Sequence, residues 1–390
     1  MKQNKGRNKY IIMPDSFKGT MSAEKVCRIM EEAVRQYDEN AEAVSIPLAD
    51  GGEGTADCLI NIMGGKKIFC DVRGPYDKTI EGFYGKLPGD TAVIEMAAAA
   101  GFSLGRKSGV LNIKNDPSEA TTYGVGELIK KAVEDGCQKI ILGIGGSCTN
   151  DAGTGMAAAL YTRFYDEYGN EFIPVGRTLN RIARIDTSET ERFLSKIHID
   201  VMCDVENPLY GENGATYVFA PQKGADEYMV RMLDYNLRCF AESVKSSLGT
   251  DISFLPMMGA AGGMGAGAYL FLKAVLKRGI DVILDMIDFE HIIEDGRMII
   301  TGEGKFDAQS LGGKAVMGIA KRAVKNHIPV LVIAGRADVK DSNTKGLLSQ
   351  QGIAGIYETD PGCYSSWEEL VKNCETDLKN TVLKALTEIV

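Results

Sequence analysis

Residues 143–155 read GIGGSCTNDAGTG, and they lie between the apolar run KIIL and the segment MAAALYTRFY. Five glycines, three hydroxyl groups, a thiol, an amide and one carboxylate, Asp151, share a turn between an expected strand and an expected helix. Bare backbone at a helix start offers N–H groups and partial positive charge to an anion. A carboxylate in the same turn would repel that anion unless a cation stood between them. Phosphate with Mg2+ satisfies both demands, with Gly145, Gly146, Ser147, Thr149 and Asn150 as the phosphate or substrate contacts.

Four further segments have the same character. PDSFKGTMSA (14–23) brings together Asp15, Ser16 and Lys18 after a strand, and PLADGGEGT (47–55) sets Asp50 and Glu53 around Gly51 and Gly52, with Gly54 following. GAAGGMGAG (259–267) opens a helix with Gly262 and Gly263. TGEGKFDAQSLGGKA (301–315) carries Gly302, Glu303, Lys305, Asp307, Ser310 and Lys314. Loops that follow strands in a doubly wound sheet converge on one crevice. Amides, lysines and carboxylates gathered there are the parts that phosphoryl transfer uses, because its catalysis is mostly positioning and charge neutralisation.

Each segment also has a plainer reading. A glycine-rich turn serves tight packing as readily as ligand approach. GAAGGMGAG also departs from the G-x-G-x-x-G dinucleotide spacing at Ala268. No G-x-x-x-x-G-K-[ST] sequence occurs, and the DFG and HRD motifs of protein kinases are absent. Cys148 has no histidine in its motif to activate it and reads as a small buried thiol.

The elements that must position these loops follow from the hydrophobic pattern. KYIIM and AEAVSIP read as strands, while SAEKVCRIMEEAVRQY and GTADCLINIMG read as helices. From about residue 66 the texture changes to the strand-like meander KKIFCDVRG, IEGFYGKL and TAVIEMA, broken by GPYD and PGD. Alternation then returns: a helix started by Asp116–Pro117, the KIILG and HIDVMCDV strands, a long helix over ADEYMVRMLDYNLRCFAESVKSSL, and another over GAGAYLFLKAVLKRG. The tail, with RMIITGEG, GKAVMGIAKRAVKNH, IPVLVIAG and a closing helix from about Ser365, is again α/β.

With 390 residues, two domains are expected. One α/β domain is built from residues 1–75 and 280–390, a second is inserted at 76–279, and the active site is expected in the cleft between them. A net charge of −9 argues against broad nucleic-acid or acidic-membrane partners. No run approaches the roughly 20 apolar residues of a membrane span. Nine scattered cysteines without a C-x-x-C pair fit reduced thiols and a cytoplasmic location. Three widely spaced histidines argue against both a His-built zinc site and a Ser–His–Asp triad.

Six segments in order, the five above together with CDVENPLYGENGATYVFAPQKGA (203–225), resemble the motif series of the bacterial type-1 glycerate kinases over Ile11 to Gly335. The resemblance implies ATP-dependent phosphorylation of D-glycerate, usually to 2-phosphoglycerate. It also implies a flavodoxin-like domain from both chain ends and an inserted, restriction-endonuclease-like mixed domain. By the resemblance, Asp50, Glu53, Asp151 and Glu303 are the Mg2+ candidates, and Lys18 and Lys305 meet transferring phosphate oxygens. Asp307 or Asp151 positions the glycerate hydroxyl. Lys223 in APQKGA is either the cation for the glycerate carboxylate or a surface turn. The chain departs from the pattern at Cys148, in place of Ala, and at Ala152, in place of Gly; Ala152 is expected to forbid a left-handed backbone there. A monomer or small homo-oligomer is expected. The alternatives are a kinase forming 3-phosphoglycerate or acting on a related hydroxy acid, and a nicotinamide-dependent oxidoreductase.

Overall fold

The computed structural model describes residues 8–17, 19–48, 52, 54–104, 115–311, 315–338, 342–360 and 362–389. The chain divides into two compact units, residues 1–50 with 280–390, and residues 51–279. The first boundary therefore falls earlier than the expected residue 75. Helix Thr55–Met63 packs on the strands of the central meander, and that tertiary contact is invisible to a composition break.

In chain order, β1 (Lys9–Pro14) and β2 (Glu42–Ser45) come from the first segment of the terminal unit. The central unit supplies β3 (Lys66–Arg73), β4 (Thr79–Leu87), β5 (Thr91–Glu95), β6 (Lys139–Gly143), β7 (Arg163–Tyr165), β8 (Glu171–Phe172), β9 (Arg184–Asp186), β10 (His198–Met202) and β11 (Val275–Lys277). The last segment returns β12 (Gly296–Phe306), β13 (Val330–Ala337) and β14 (Ile353–Glu358).

The terminal unit is built on the parallel sheet β2-β1-β12-β13-β14. Renumbered within the unit, that order is 2-1-3-4-5. The apolar runs YIIM, MII and VLVIA are buried on both faces, as a parallel sheet covered by helices requires. Helix Ala23–Tyr37, whose N-cap Ser22 accepts from the Lys25 N–H, shares a core with Leu378, Val382 and Leu386 of helix Trp367–Ile389.

The central unit is built on the mixed sheet β3-β4-β5-β6-β10-β11, antiparallel through the β3–β5 meander and parallel from β5 to β11. Helix Tyr123–Glu134 lays Val125, Leu128, Ile129 and Ala132 against it. A three-stranded sheet, β8-β7-β9, borders a second core in which Phe164 meets Phe271 edge to face.

Three helices differ from the sequence reading. The helix expected from Asp116 begins only at Tyr123, because the Asp116 carboxylate accepts from the N–H and Oγ of Ser118 and holds a turn instead. The helix after the GIGGSCTNDAGTG turn stops at Ala159, Tyr161 takes φ +77°, and Arg163–Tyr165 is strand β7. The GAGAYLFLKAVLKRG helix ends at Phe271, and Lys273 at φ +51° turns the chain into β11.

Candidate active site

The 143–155 turn follows β6 and is held from within. The Asp151 carboxylate is wholly buried. Its Oδ2 accepts from the N–H and Oγ1–H of Thr122, both at 2.8 Å, and from the Gly155 N–H at 3.3 Å. Its Oδ1 accepts from the Gly153 N–H at 3.2 Å. Thr122 Oγ1 in turn accepts from the Met156 N–H at 2.9 Å, so one carboxylate and one hydroxyl tie together the starts of helices Thr154–Ala159 and Tyr123–Glu134. Burial pushes the Asp151 carboxyl above the ordinary carboxylate range, against the lowering effect of its donors. Both oxygens are committed to the chain itself, which is the geometry of a loop anchor, not of a ligand facing water and metal. Thr122 was missed in the sequence because it reads as mid-helix.

The turn is also backed by the second glycine-rich segment. The Ala152 N–H donates to the Gly262 carbonyl at 3.1 Å. A Cβ at Gly262 would stand 2.1 Å from the Thr149 carbonyl oxygen, and one at Gly263 would stand 2.9 Å from Ala152 Cα. Gly262 and Gly263 are buried against the chain's own backbone and do not line a ligand space. Close packing is the reading the structure selects for GAAGGMGAG, and it removes the main support for a dinucleotide site. Ala152 itself adopts φ +53°, so the expectation that it forbids the left-handed region is corrected. The bond to Gly262 and the neighbouring left-handed Gly153 hold it there.

On the other side of the turn, Gly145 is half-buried and Gly146 exposed, while Ser147, Cys148, Thr149 and Asn150 are buried. Burial raises the Cys148 thiol to about 12, which leaves it an inert packing group. Lys223, from the Pro221–Lys223 turn, is only 4% exposed. Its ammonium donates to Ser147 Oγ at 2.7 Å and to the Thr149 carbonyl at 2.8 Å. Desolvation lowers its pKa to about 8, with Cys148 and Asp151 acting weakly in the opposite sense. Of the two sequence readings of Lys223, the surface turn is excluded. Thr149 Oγ1 and Asn150 Oδ1 are buried without a hydrogen-bond partner among the described residues. Asn150 Nδ2 reaches Thr216 Oγ1 at 3.4 Å.

The 47–55 segment is tied down by Glu95, at the carboxyl end of β5. Its Oε1 accepts from the Gly54 N–H at 3.1 Å and the Ala56 N–H at 2.7 Å, capping helix Thr55–Met63. Burial raises the Glu95 pKa. The one signal for it in the sequence is an acid ending the apolar run TAVIE. Gly52 accepts from Thr55 through its carbonyl. Lys18, Asp50, Gly51, Glu53 and Lys314 lie outside the described residues.

In the terminal unit, Asp15, Asp307 and Asp338 each follow the carboxyl end of a strand, on one edge of the parallel sheet. Asp15 accepts from the Ser16 N–H at 2.6 Å. Lys305 pairs with Asp338 at 2.8 Å and Asp307 at 3.3 Å, and these partners raise its pKa. The Asp307 N–H donates to Ser310 Oγ at 3.2 Å. The expected 301–315 loop begins later than its sequence suggests, since β12 runs to Phe306. Gly302 lies inside that strand, where a Cβ would stand 2.1 Å from the Ile333 carbonyl oxygen, so it serves sheet packing and not a ligand. Glu303 is half-buried in the same strand, opposite Ala334. Among the described residues, no three His, Cys, Asp or Glu side chains gather to hold a metal ion. No helix among them is long and apolar enough to cross a membrane.

A parallel α/β sheet with acids and a lysine at its carboxyl edge, joined in one chain to an anion-ready glycine turn, is the equipment of a small-molecule phosphotransferase. The chain belongs to the glycerate kinase family, whose model matches residues 10–389. A relative from Bacillus cereus (strain ATCC 10987), named glycerate kinase, is 42% identical over 96% of each chain. One from Escherichia coli K12, named glycerate 2-kinase, is 43% identical over 90% of each. A crystal structure from Salmonella typhimurium LT2, of a protein proposed to be glycerate kinase 2, superposes with a TM-score of 0.81 at 37% identity and covers 98% of both chains.

Proposed function

We propose that this protein transfers the γ-phosphoryl group of ATP to the 2-hydroxyl of D-glycerate, giving 2-phosphoglycerate and ADP. The family match across residues 10–389 carries the reading. The name of the Escherichia coli relative, glycerate 2-kinase, supports the choice of hydroxyl.

The terminal unit is read as flavodoxin-like on its all-parallel 2-1-3-4-5 strand order, a fold that takes ligands beyond the carboxyl ends of its strands. Residues 51–279 are read as the inserted, restriction-endonuclease-like mixed domain. In this reading Lys305 exchanges Asp307 and Asp338 for phosphate oxygens, and Asp307, so released, orients the glycerate hydroxyl and takes its proton. Asp15 and Ser16 bind nucleotide or substrate on the same sheet edge. Gly145, Gly146 and Ser147 offer backbone N–H groups to phosphate. Lys18, Asp50, Gly51 and Glu53 take the roles that their motifs imply. Asp151 is assigned to holding its loop, and Gly262, Gly263 and Gly302 to packing.

Mg2+ would neutralise charge on the transferring phosphates. Asp50 and Glu53, the acids of the 47–55 motif, would be its protein-side ligands or hold its water shell. All nine cysteines are free, which suits the reducing cytoplasm in which we place the enzyme.

The test is ADP release with Mg-ATP and D-glycerate, coupled to enolase as the only downstream enzyme. Glycerate-dependent ADP with phosphoenolpyruvate appearing is the expected result. ADP without phosphoenolpyruvate would move the reaction to the 3-hydroxyl. No glycerate-dependent ADP would overturn the reading.

A further inference from the structure

Lys223 is a buried ammonium bonded only to neutral groups among the described residues, a serine hydroxyl and a peptide carbonyl. Taking such a charge out of water without an opposite charge is costly, and folded proteins seldom carry one unless something else meets it. An ammonium has three N–H donors, and two are used here. The turn it grips holds two polar atoms without a partner among the described residues, Thr149 Oγ1 and Asn150 Oδ1, both from side chains that are wholly buried. Buried polar atoms without partners are rare in native proteins and call for an explanation. Here a hydroxyl donor and an amide acceptor occur within one short turn, and the cation of Lys223 is bonded to that same turn. Its start, at Gly145 and Gly146, reaches solvent directly before Ser147.

We propose that Lys223, Thr149 and Asn150 form the subsite for the acceptor acid: Lys223 Nζ and the Thr149 hydroxyl donate to its carboxylate, and Asn150 Oδ1 accepts from an adjoining hydroxyl. The assignment rests on the glycerate-phosphorylating function proposed above and names the part of the protein that recognises the acid. It makes the carboxylate, more than the hydroxyls, the feature selected. Glycerol, which carries the same two hydroxyls and a neutral third in place of the carboxylate, would leave the ammonium without a counter-charge, and such a deficit discriminates far more strongly than a missing methylene does.

The experiment compares steady-state kinetics of the full-length wild type, Lys223→Gln, Lys223→Arg and Thr149→Val, with D-glycerate and with glycerol as acceptors. Lys223→Gln should raise the KM for D-glycerate by about 100-fold while the KM for ATP moves by no more than about threefold. Lys223→Arg, which keeps the charge, should recover part of that loss. Thr149→Val removes a hydroxyl that has no partner among the described residues, so the variant should fold normally and raise the KM for D-glycerate by about tenfold. Preference for D-glycerate over glycerol should collapse in Lys223→Gln.

A folded Lys223→Gln with an unchanged KM for D-glycerate would overturn the subsite, as would equal rises in both KM values, the mark of a merely structural lysine. If Lys223→Gln does not fold, an unchanged KM in Thr149→Val overturns it instead. Wild-type enzyme without glycerate-dependent turnover would overturn the proposed function and the subsite together. Turnover with unaffected variants would overturn the subsite alone.

Discussion

Asp151 Oδ2 lies 2.8 Å from both the backbone nitrogen and the hydroxyl of Thr122, two helices' starts joined by one buried oxygen. Asp151→Ala would orphan every donor on this carboxylate and is expected to lower stability by about 4 kcal/mol. Asp151→Asn keeps an acceptor at Oδ2 and loses the bond to Gly153 at Oδ1, so about 1–2 kcal/mol is expected. Urea denaturation followed by circular dichroism measures both. A loop anchor loses stability and activity in step. An Asp151→Ala protein as stable as the wild type would remove the anchor role.

Two glycines with positive φ separate conformational need from packing need. Gly54 has φ +96° with nothing within 4 Å of a built Cβ, while Gly262 has φ +71° and the Thr149 carbonyl oxygen 2.1 Å away. Gly54→Ala should cost about 1–2 kcal/mol, the backbone penalty alone. Gly262→Ala should cost at least about 3 kcal/mol, because the Thr149–Ala152 backbone must also move. Comparable midpoint shifts in urea for the two variants would contradict this account.

Lys223 also sets a pH dependence whose sign is fixed by its burial. Its folded-state pKa is about 8, against 10.5 for an ordinary lysine. Between those values the unfolded chain holds a proton that the folded chain has released, so stability rises with pH across the window. Below it the group is charged in both states and the burial penalty is fully present. The wild type should therefore gain about 3 kcal/mol relative to Lys223→Gln from pH 7.5 to pH 10.5, and saturating D-glycerate should flatten the rise. A constant stability difference across that range would count against a charged, buried Lys223.

Much of the arrangement was readable in one dimension because it is local. Strands KYIIM and KIILG declare themselves by apolar runs, and the helix over Glu227–Leu248 by its long helical pattern. The misread parts depend on partners remote in the chain. Ala152 occupies a left-handed conformation because Gly262 receives its N–H, and Asp151 is a buried anchor because Thr122 faces it. Lys223 sits in a short polar turn that resembles surface, and only the folded chain shows it gripping Ser147 and Thr149. Gly302 reads as part of a loop motif, yet parallel pairing with Ile333 keeps it in a strand.

The Thr301 hydroxyl donates to the Met13 carbonyl across 288 residues of sequence, and β1 pairs with β12 throughout its length. During synthesis, residues 51–279 leave the ribosome as one uninterrupted stretch and can complete their core while β12 is still unmade. The opening strand, with only β2 beside it, must wait for β12 until the last quarter of the chain emerges. Assembly of this protein is thus ordered from the middle outward, and a chain truncated before Gly296 would carry a finished centre with a stranded N-terminal β1.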